Sequence, residues 1–205
     1  MAETMTPSKG ITDGQIGKIK ELLDPALRKS GLQNEPVQQV LKTPEQSGPM
    51  IAELVAVVRK YVEAVSSMIV RIVEKVDRKR KPQEMLDATG RTQYTDRKVV
   101  DSMPRGEGEN AEVVFFKVGR YISDDDLKKE YELLGLKPAD PYSLAAVNQA
   151  DPAFADEKPN GTHWKDAKGN WCYATFDRWG GGREVGVHRI DYGWDGGWWF
   201  AGVRK

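Results

Sequence analysis

The chain has a single cysteine, Cys172, and two histidines, His163 and His188, in 205 residues. One thiol excludes an intrachain disulfide and suits a reducing interior better than an oxidising compartment. With one cysteine the two histidines cannot complete a structural zinc set, and neither stands at a ligand spacing from another donor, so no metal and no cofactor is expected. A nucleophile pair of Cys172 and His163 is disfavoured because Cys172 lies mid-strand beside Trp171, where a thiol is buried and inert. No glycine-rich phosphate loop of recognised spacing occurs, since GGGR after Trp179 reads as a turn. Together these absences point away from an enzyme.

An excess of either charge is also missing. With 31 basic and 31 acidic side chains the formal net charge is zero, so no global field draws the chain to nucleic acid or to an anionic membrane. The one basic run, Arg78, Lys79, Arg80 and Lys81, lacks interleaved aromatics and reads as the positive end of a helix, which leaves nucleic acid disfavoured as a partner. Long apolar runs are missing too. Residues 50–76 are interrupted by Glu53, Arg59, Lys60, Glu63, Arg71 and Glu74, which excludes a membrane span there. The opening MAETMTPSKGITDGQ has no basic segment followed by an apolar stretch, so a cytoplasmic location is expected, with export by another route left open. At 39 % apolar and 30 % charged residues the chain is polar but within the range that folds.

What the first half does contain is helical periodicity. Thr12 is positioned to cap a helix whose Ile16, Ile19, Leu22 and Leu23 share a face, and Asn34 with Pro36 opens a second, short one through Leu41. From Pro49, the residues Ile51, Val55, Val58, Val62, Val65, Ile69, Ile72 and Val76 recur at alternating steps of four and three, which predicts a long helix with a four-heptad seam. Such a seam needs a partner helix. It either folds back on the two before it or pairs with other copies, giving a homo-oligomer through residues 49–78.

The second half reads differently. Glu112 to Lys117, EVVFFK, predicts a buried strand. Ser123 caps a helix with Asp124, Asp125 and Asp126 in its first turn and Gly135 as its stop; Asp140 with Pro141 starts another, and Asp151 with Pro152 a further turn. After Gly161 come strands at 171–179, 183–189 and 198–204, bent at Gly180 to Gly182 and Asp195 to Gly197, and the first strand is expected to pair with the last. The expected fold class is therefore α+β: a helical region with a long helix at 1–90, a linker at 91–110, and a domain at 111–205 of strand, two helices and an antiparallel strand meander.

All six tryptophans fall between Trp164 and Trp199. Along 183–190 the period of two sets Val185 and Val187 on one face, and Glu184, Gly186, His188 and Ile190 on the other, a mixture with no packing logic. The neighbouring loops add Asp177, Gly180, Gly181, Gly182, Asp191, Tyr192, Gly193, Asp195, Gly196 and Gly197. These small, charged and aromatic groups are displayed by a framework of Trp179, Val185, Val187, Trp194, Trp198, Trp199 and Phe200, as binding loops are by a rigid support. Trp164 and Trp171 are candidate stacking platforms. A core of tryptophans with glycine bends explains the same residues without any ligand, so both readings stand at this point.

The segments DSMPRGEGENAEVVFF, DDDLKKEYELLGLKPADPYSLAAVNQADPAFAD, PNGTHWKDAKGNWCYATF and WWFAGVRK, within residues 91–205, resemble a group of uncharacterised bacterial proteins that is similar to the variable proteins of diversity-generating retroelements. The resemblance implies a C-type-lectin-like C-terminal domain. It also implies that the fourteen positions from Asp177 to Gly197 named above are those at which copies differ, and that they bind a protein or other macromolecular ligand. No cysteine pairs and no calcium-ligand motif accompany it, so calcium-dependent sugar binding is not implied. The alternative is a helical adaptor or structural oligomerisation protein whose C-terminal domain is a stable cap.

Overall fold

A computed structural model describes residues 10–189 and 192–205. The chain divides into two compact units, residues 1–66 and 67–205. In the first, α1 (Asp13–Lys29) opens on the expected cap: the Thr12 hydroxyl accepts from the Gln15 amide at 3.3 Å, and the Gln15 side chain accepts from the Thr12 amide at 2.9 Å. Then come α2 (Asn34–Leu41) and α3 (Pro44–Val65), the latter with Pro at its first position. Neither α1 nor α2 has a buried residue, and Ile51, Val55, Tyr61, Val62 and Val65 of α3 are exposed.

The long helix predicted to run on to Val76 ends at Val65. Of the eight seam residues, Ile69 and Ile72 lie instead in β1 (Met68–Val73), which pairs antiparallel with β3 (Ala111–Lys117). The run MIVRIV is β-branched at four of six positions, and such side chains favour the pleated surface once a neighbouring strand satisfies the backbone. Ile69 and Ile72, three residues apart, fall on opposite faces of the strand, Ile69 buried and Ile72 74 % exposed, so the shared helical face is lost there. The basic run therefore ends no helix. Arg78 is half-buried, and its guanidinium pairs with Asp140 at 2.6 Å and donates to Ser143 Oγ at 2.9 Å and the Gly108 carbonyl at 2.7 Å.

The rest of the second unit runs α4 (Pro82–Asp87), β2 (Thr92–Thr95), α5 (Arg97–Val100), then β3, α6 (Asp124–Leu133), β4 (Leu136–Pro138), α7 (Pro141–Ala150), α8 (Phe154–Glu157), β5 (Asn160–Lys165), β6 (Trp171–Trp179), β7 (Gly182–Arg189) and β8 (Trp199–Arg204). The α6 and α7 caps are as expected, the Ser123 and Asp140 side chains accepting from the Asp126 and Ser143 amides. One mixed sheet of eight strands results, in the order β1-β3-β8-β5-β6-β7-β2, with β4 also on β8. The expected pairing of β3 with β8 is present, antiparallel.

The predicted architecture, a long helix followed by a small C-type-lectin-like domain, is not what forms. Residues assigned to the helix and to the linker supply two edge strands, β1 and β2, and β2 and β5 run parallel to their neighbours β7 and β8, so the sheet is no antiparallel meander. The cause is shared burial. Val99 and Val100 of the supposed linker are fully buried against the same face of the sheet as Val185 and Val187. That first face is covered by α4, α5, α7 and α8. The second face is covered only in part: Leu127 and Tyr131 of α6, with Ile122 and Trp194, pack on Val114, Phe116 and Phe200.

Candidate functional site

The hairpin of β6 and β7 turns through Gly180 (φ 57°) and Gly181 (φ 90°), both left-handed, as a two-residue loop between the paired Trp179 and Gly182 requires. That register places Tyr173 opposite His188, Thr175 opposite Gly186 and Asp177 opposite Glu184. Cys172, Ala174, Phe176, Val185 and Val187 alternate with them and are buried in the first face. The other row lies on the second face, where Thr175 is buried, Tyr173 packs against Trp194, and Asp177, Glu184, Gly186 and His188 are half-buried. On β2, Thr92 and Tyr94 stand beside Glu184 and Gly186 and are exposed there.

The loop from Tyr192 to Trp198 walls one side of this open area. An isolated bridge holds it: the Ile122 amide donates to the Trp194 carbonyl at 2.9 Å, and the Trp194 amide to the Ile122 carbonyl at 2.8 Å. The Gly193 amide donates to the Tyr121 hydroxyl at 2.8 Å. Trp194 is 7 % exposed; its indole N–H donates to Asp124 Oδ1 at 2.9 Å, the same oxygen that accepts from His163 Nδ1 at 2.6 Å. A Cβ at Gly161 would come within 2.9 Å of the Trp194 ring, so glycine is what lets the indole lie flat on β5. Trp198 and Phe200 meet Trp194 edge-on at 5.6 and 5.4 Å.

Between loop and strands lies a pocket of about 450 Å³ lined by Tyr121, Asp124, Tyr173, Thr175, Asp177, Tyr192, Gly193, Trp194, Asp195 and Trp198. That volume is in the range of small-ligand sites. Burial pushes the Asp177 carboxyl above the usual carboxylate range, the facing Glu184 adds to the shift, and Arg91 opposes it. Arg91 works from the other side of the sheet, where it donates to the Asp177 and Pro152 carbonyls at 3.1 and 2.9 Å and lies over the Phe176 ring. Burial likewise raises the Tyr173 phenol, helped by Tyr192 and Asp177.

No family model, no curated protein and no solved structure matches the chain. Geometry alone carries the functional reading.

Of the residues expected at the site, Asp177, Glu184, Gly186 and His188 share the open face, and Tyr192 and Asp195 stand on the adjoining loop. Gly180, Gly181 and Gly182 form the hairpin tip, with open space where a Cβ at Gly180 or Gly181 would stand. Ile190 and Asp191 lie outside the described residues. Gly193 and Gly196 have packing roles, since a Cβ would meet the Ile122 carbonyl oxygen at 2.2 Å or the Gly119 carbonyl carbon at 2.9 Å. The Gly197 amide donates to the Asp195 carboxylate at 2.7 Å, closing a tight bend.

Trp179 is not framework. It continues the outward row from Asp177 and is 76 % exposed. Alternation from Asp177 would have placed it, and Tyr173 and Thr175, on the open face; Tyr94 and Tyr121 come from distant strands and loops and carried no local signal. Trp171 stacks on His163 with ring centroids 4.4 Å apart, and Trp164 packs against the first-face core. Cys172 is buried on that first face, and burial raises its pKa. A larger cleft of about 800 Å³ opens beside β4 and β5, where Arg78 pairs with Asp140 and Arg204 with Glu112. Among the described residues no group of three or more His, Cys, Asp or Glu is placed to hold a metal ion, and no helix is long and apolar enough to cross a membrane.

Proposed function

We propose that the open half of the second sheet face is a recognition surface for a macromolecular partner, a protein first of all, and that its side chains are exchangeable without disturbing the sheet that carries them. One observation carries this reading: Tyr173, Asp177, Glu184 and His188, all only partly buried, alternate with a row that is fully buried on the other side of the sheet. Ionisable and aromatic groups held together on a rigid support and left partly uncovered point to a use other than folding. If the tail is akin to retroelement variable proteins, the positions from Asp177 to Gly197 would be the ones exchanged, and the close backbone contacts at Gly193 and Gly196 limit what those two could become.

The helical unit supports a second element of the proposal. The exposed stripe of Ile51, Val55, Val62 and Val65 on α3 favours self-association through residues 49–65, which would multiply weak single contacts. The adaptor reading gives that unit the whole task. The two separate in a pull-down from host extract with the full chain and with a Glu184→Ala, His188→Ala, Tyr192→Ala variant, each confirmed folded by circular dichroism. Proteins retained by the wild type and lost by the variant support the recognition surface; an unchanged set supports the adaptor.

A further inference from the structure

The pocket walled by the loop and the open strands has an uneven chemistry. Among the described residues five aromatic rings line it, those of Tyr121, Tyr173, Tyr192, Trp194 and Trp198, together with three carboxylates, Asp124, Asp177 and Asp195, and no lysine or arginine. We infer that this pocket receives a cation, the alkylammonium head of a lysine side chain or of a free quaternary amine, held by ring faces and by the Asp177 carboxylate. The inference rests on reading this face as a binding surface and specifies what that surface selects.

Each carboxylate can be sorted by what it already does. Asp124 is occupied, with Oδ1 accepting from both His163 and Trp194. Asp195 accepts from the Gly197 amide. The Asp177 carboxylate has neither a hydrogen bond nor an ion pair among the described residues, and faces Glu184 across the strands rather than a cation. A half-buried carboxylate placed opposite a like charge costs folding free energy, and a positive ligand group between the two would remove that cost. The guanidinium that acts on Asp177 is committed elsewhere, since Arg91 donates to carbonyls on the far side of the sheet.

The aromatic walls fit the same occupant. An ammonium is attracted to the negative face of an aromatic ring within about 6 Å, and several rings around one methylated nitrogen form the arrangement that recognises quaternary amines. The Trp194 ring is fixed by its indole hydrogen bond and by Gly161, and Tyr121 is held by the Gly193 amide, whereas Tyr192 is 71 % exposed and has room to close over a guest. An anionic ligand would be repelled by the unpaired Asp177 and Glu184.

The test uses the isotope-labelled full chain and amide chemical-shift titrations with choline, n-butylammonium, Nα-acetyl-lysine methylamide, butyrate, and the uncharged choline isostere 3,3-dimethylbutan-1-ol. The expected result is that the cations move the amides of Tyr173, Asp177 and Trp198, with the isostere about tenfold weaker and butyrate without effect. Asp177→Asn, which keeps size and shape, should weaken choline about fivefold or more while the unperturbed spectrum shows an intact fold. Tighter binding of the lysine amide assigns the site to a partner's side chain, and tighter binding of choline to a free amine; either supports the inference. Equal binding of choline and its neutral isostere, or no shift at these amides with any cation, overturns it. Because partner capture is measured separately, such a result would leave the recognition surface standing and remove only its preference for positive charge.

Discussion

Replacing Gly193 by alanine separates framework from display more sharply than any change to an exposed side chain. The added Cβ would stand 2.2 Å from the Ile122 carbonyl oxygen, 2.9 Å from its carbon and 3.0 Å from Ser123 Cα, all backbone, so no side chain can turn aside to admit it. That carbonyl accepts from the Trp194 amide, and relieving the overlap opens both hydrogen bonds of the bridge. Two buried backbone bonds contribute about 1 kcal/mol each, and partial release of the Trp194 ring from Phe200 and Gly161 adds about 1 kcal/mol more, for a loss of roughly 2–4 kcal/mol. At about 3 °C per kcal/mol for a chain of this size, the thermal midpoint should fall by roughly 6–12 °C. Gly181→Ala is the matched control: its φ of 90° strains an alanine, but nothing lies within 4 Å of the added carbon, so a cost near 1 kcal/mol and about 3 °C is expected. Both are read by calorimetry or by urea unfolding followed by circular dichroism. A midpoint for Gly193→Ala within about 2 °C of the wild type, or a larger loss for Gly181→Ala, would refute the assignment of the loop to the framework.

Four further outcomes are expected. Asp177→Asn should stabilise the protein at neutral pH; an acid whose folded pKa is raised destabilises the fold above that pKa, so the gain should shrink as pH falls toward the unfolded value of about 3.9, followed as urea midpoints against pH. Asp166 behaves oppositely. Although burial alone would raise it, the amides of Asn170 and Lys168 and the Arg189 guanidinium hold its carboxyl down to about 2, so Asp166→Asn should cost stability above about pH 4 and the difference should vanish as pH falls through 2. Cys172 should react with thiol reagents only as the protein unfolds, its labelling rate rising with urea in step with lost ellipticity. Finally, Val55→Glu with Val62→Glu in the full chain should lower the sedimentation coefficient if α3 self-associates, and leave it unchanged if it does not.

The capping and turn chemistry was legible in the sequence because each signal is local. Thr12, Ser123 and Asp140 close their own first turns, and the Gly180–Gly181 bend needs only left-handed dihedrals. The pairing of β3 with β8 was legible because two apolar runs at the ends of one segment had unpaired edges to satisfy. What the periodicity could not settle was helix against strand at 68–73, where β-branched residues fit both templates and the choice is made by β3, forty residues away. The same holds for β2: TQYT is polar and short, and becomes a strand only because β7 offers it an edge. At the candidate site, alternation placed Glu184, Gly186 and His188 on one face, as the register has them. It stopped short at Trp179, whose size suggested a core role that the outward register denies it.

In the proposed reading the open half-face is carried by the sheet and does not help to hold it. Thermal unfolding of the Glu184→Ala, His188→Ala, Tyr192→Ala variant of the full chain tests this most directly. Three half-buried or exposed substitutions, each within about 0.5 kcal/mol, predict a midpoint within about 4 °C of the wild type and an unchanged unfolding cooperativity. A fall of more than about 10 °C, or a broadened transition, would mean that these side chains are part of the core and that no separate recognition surface exists.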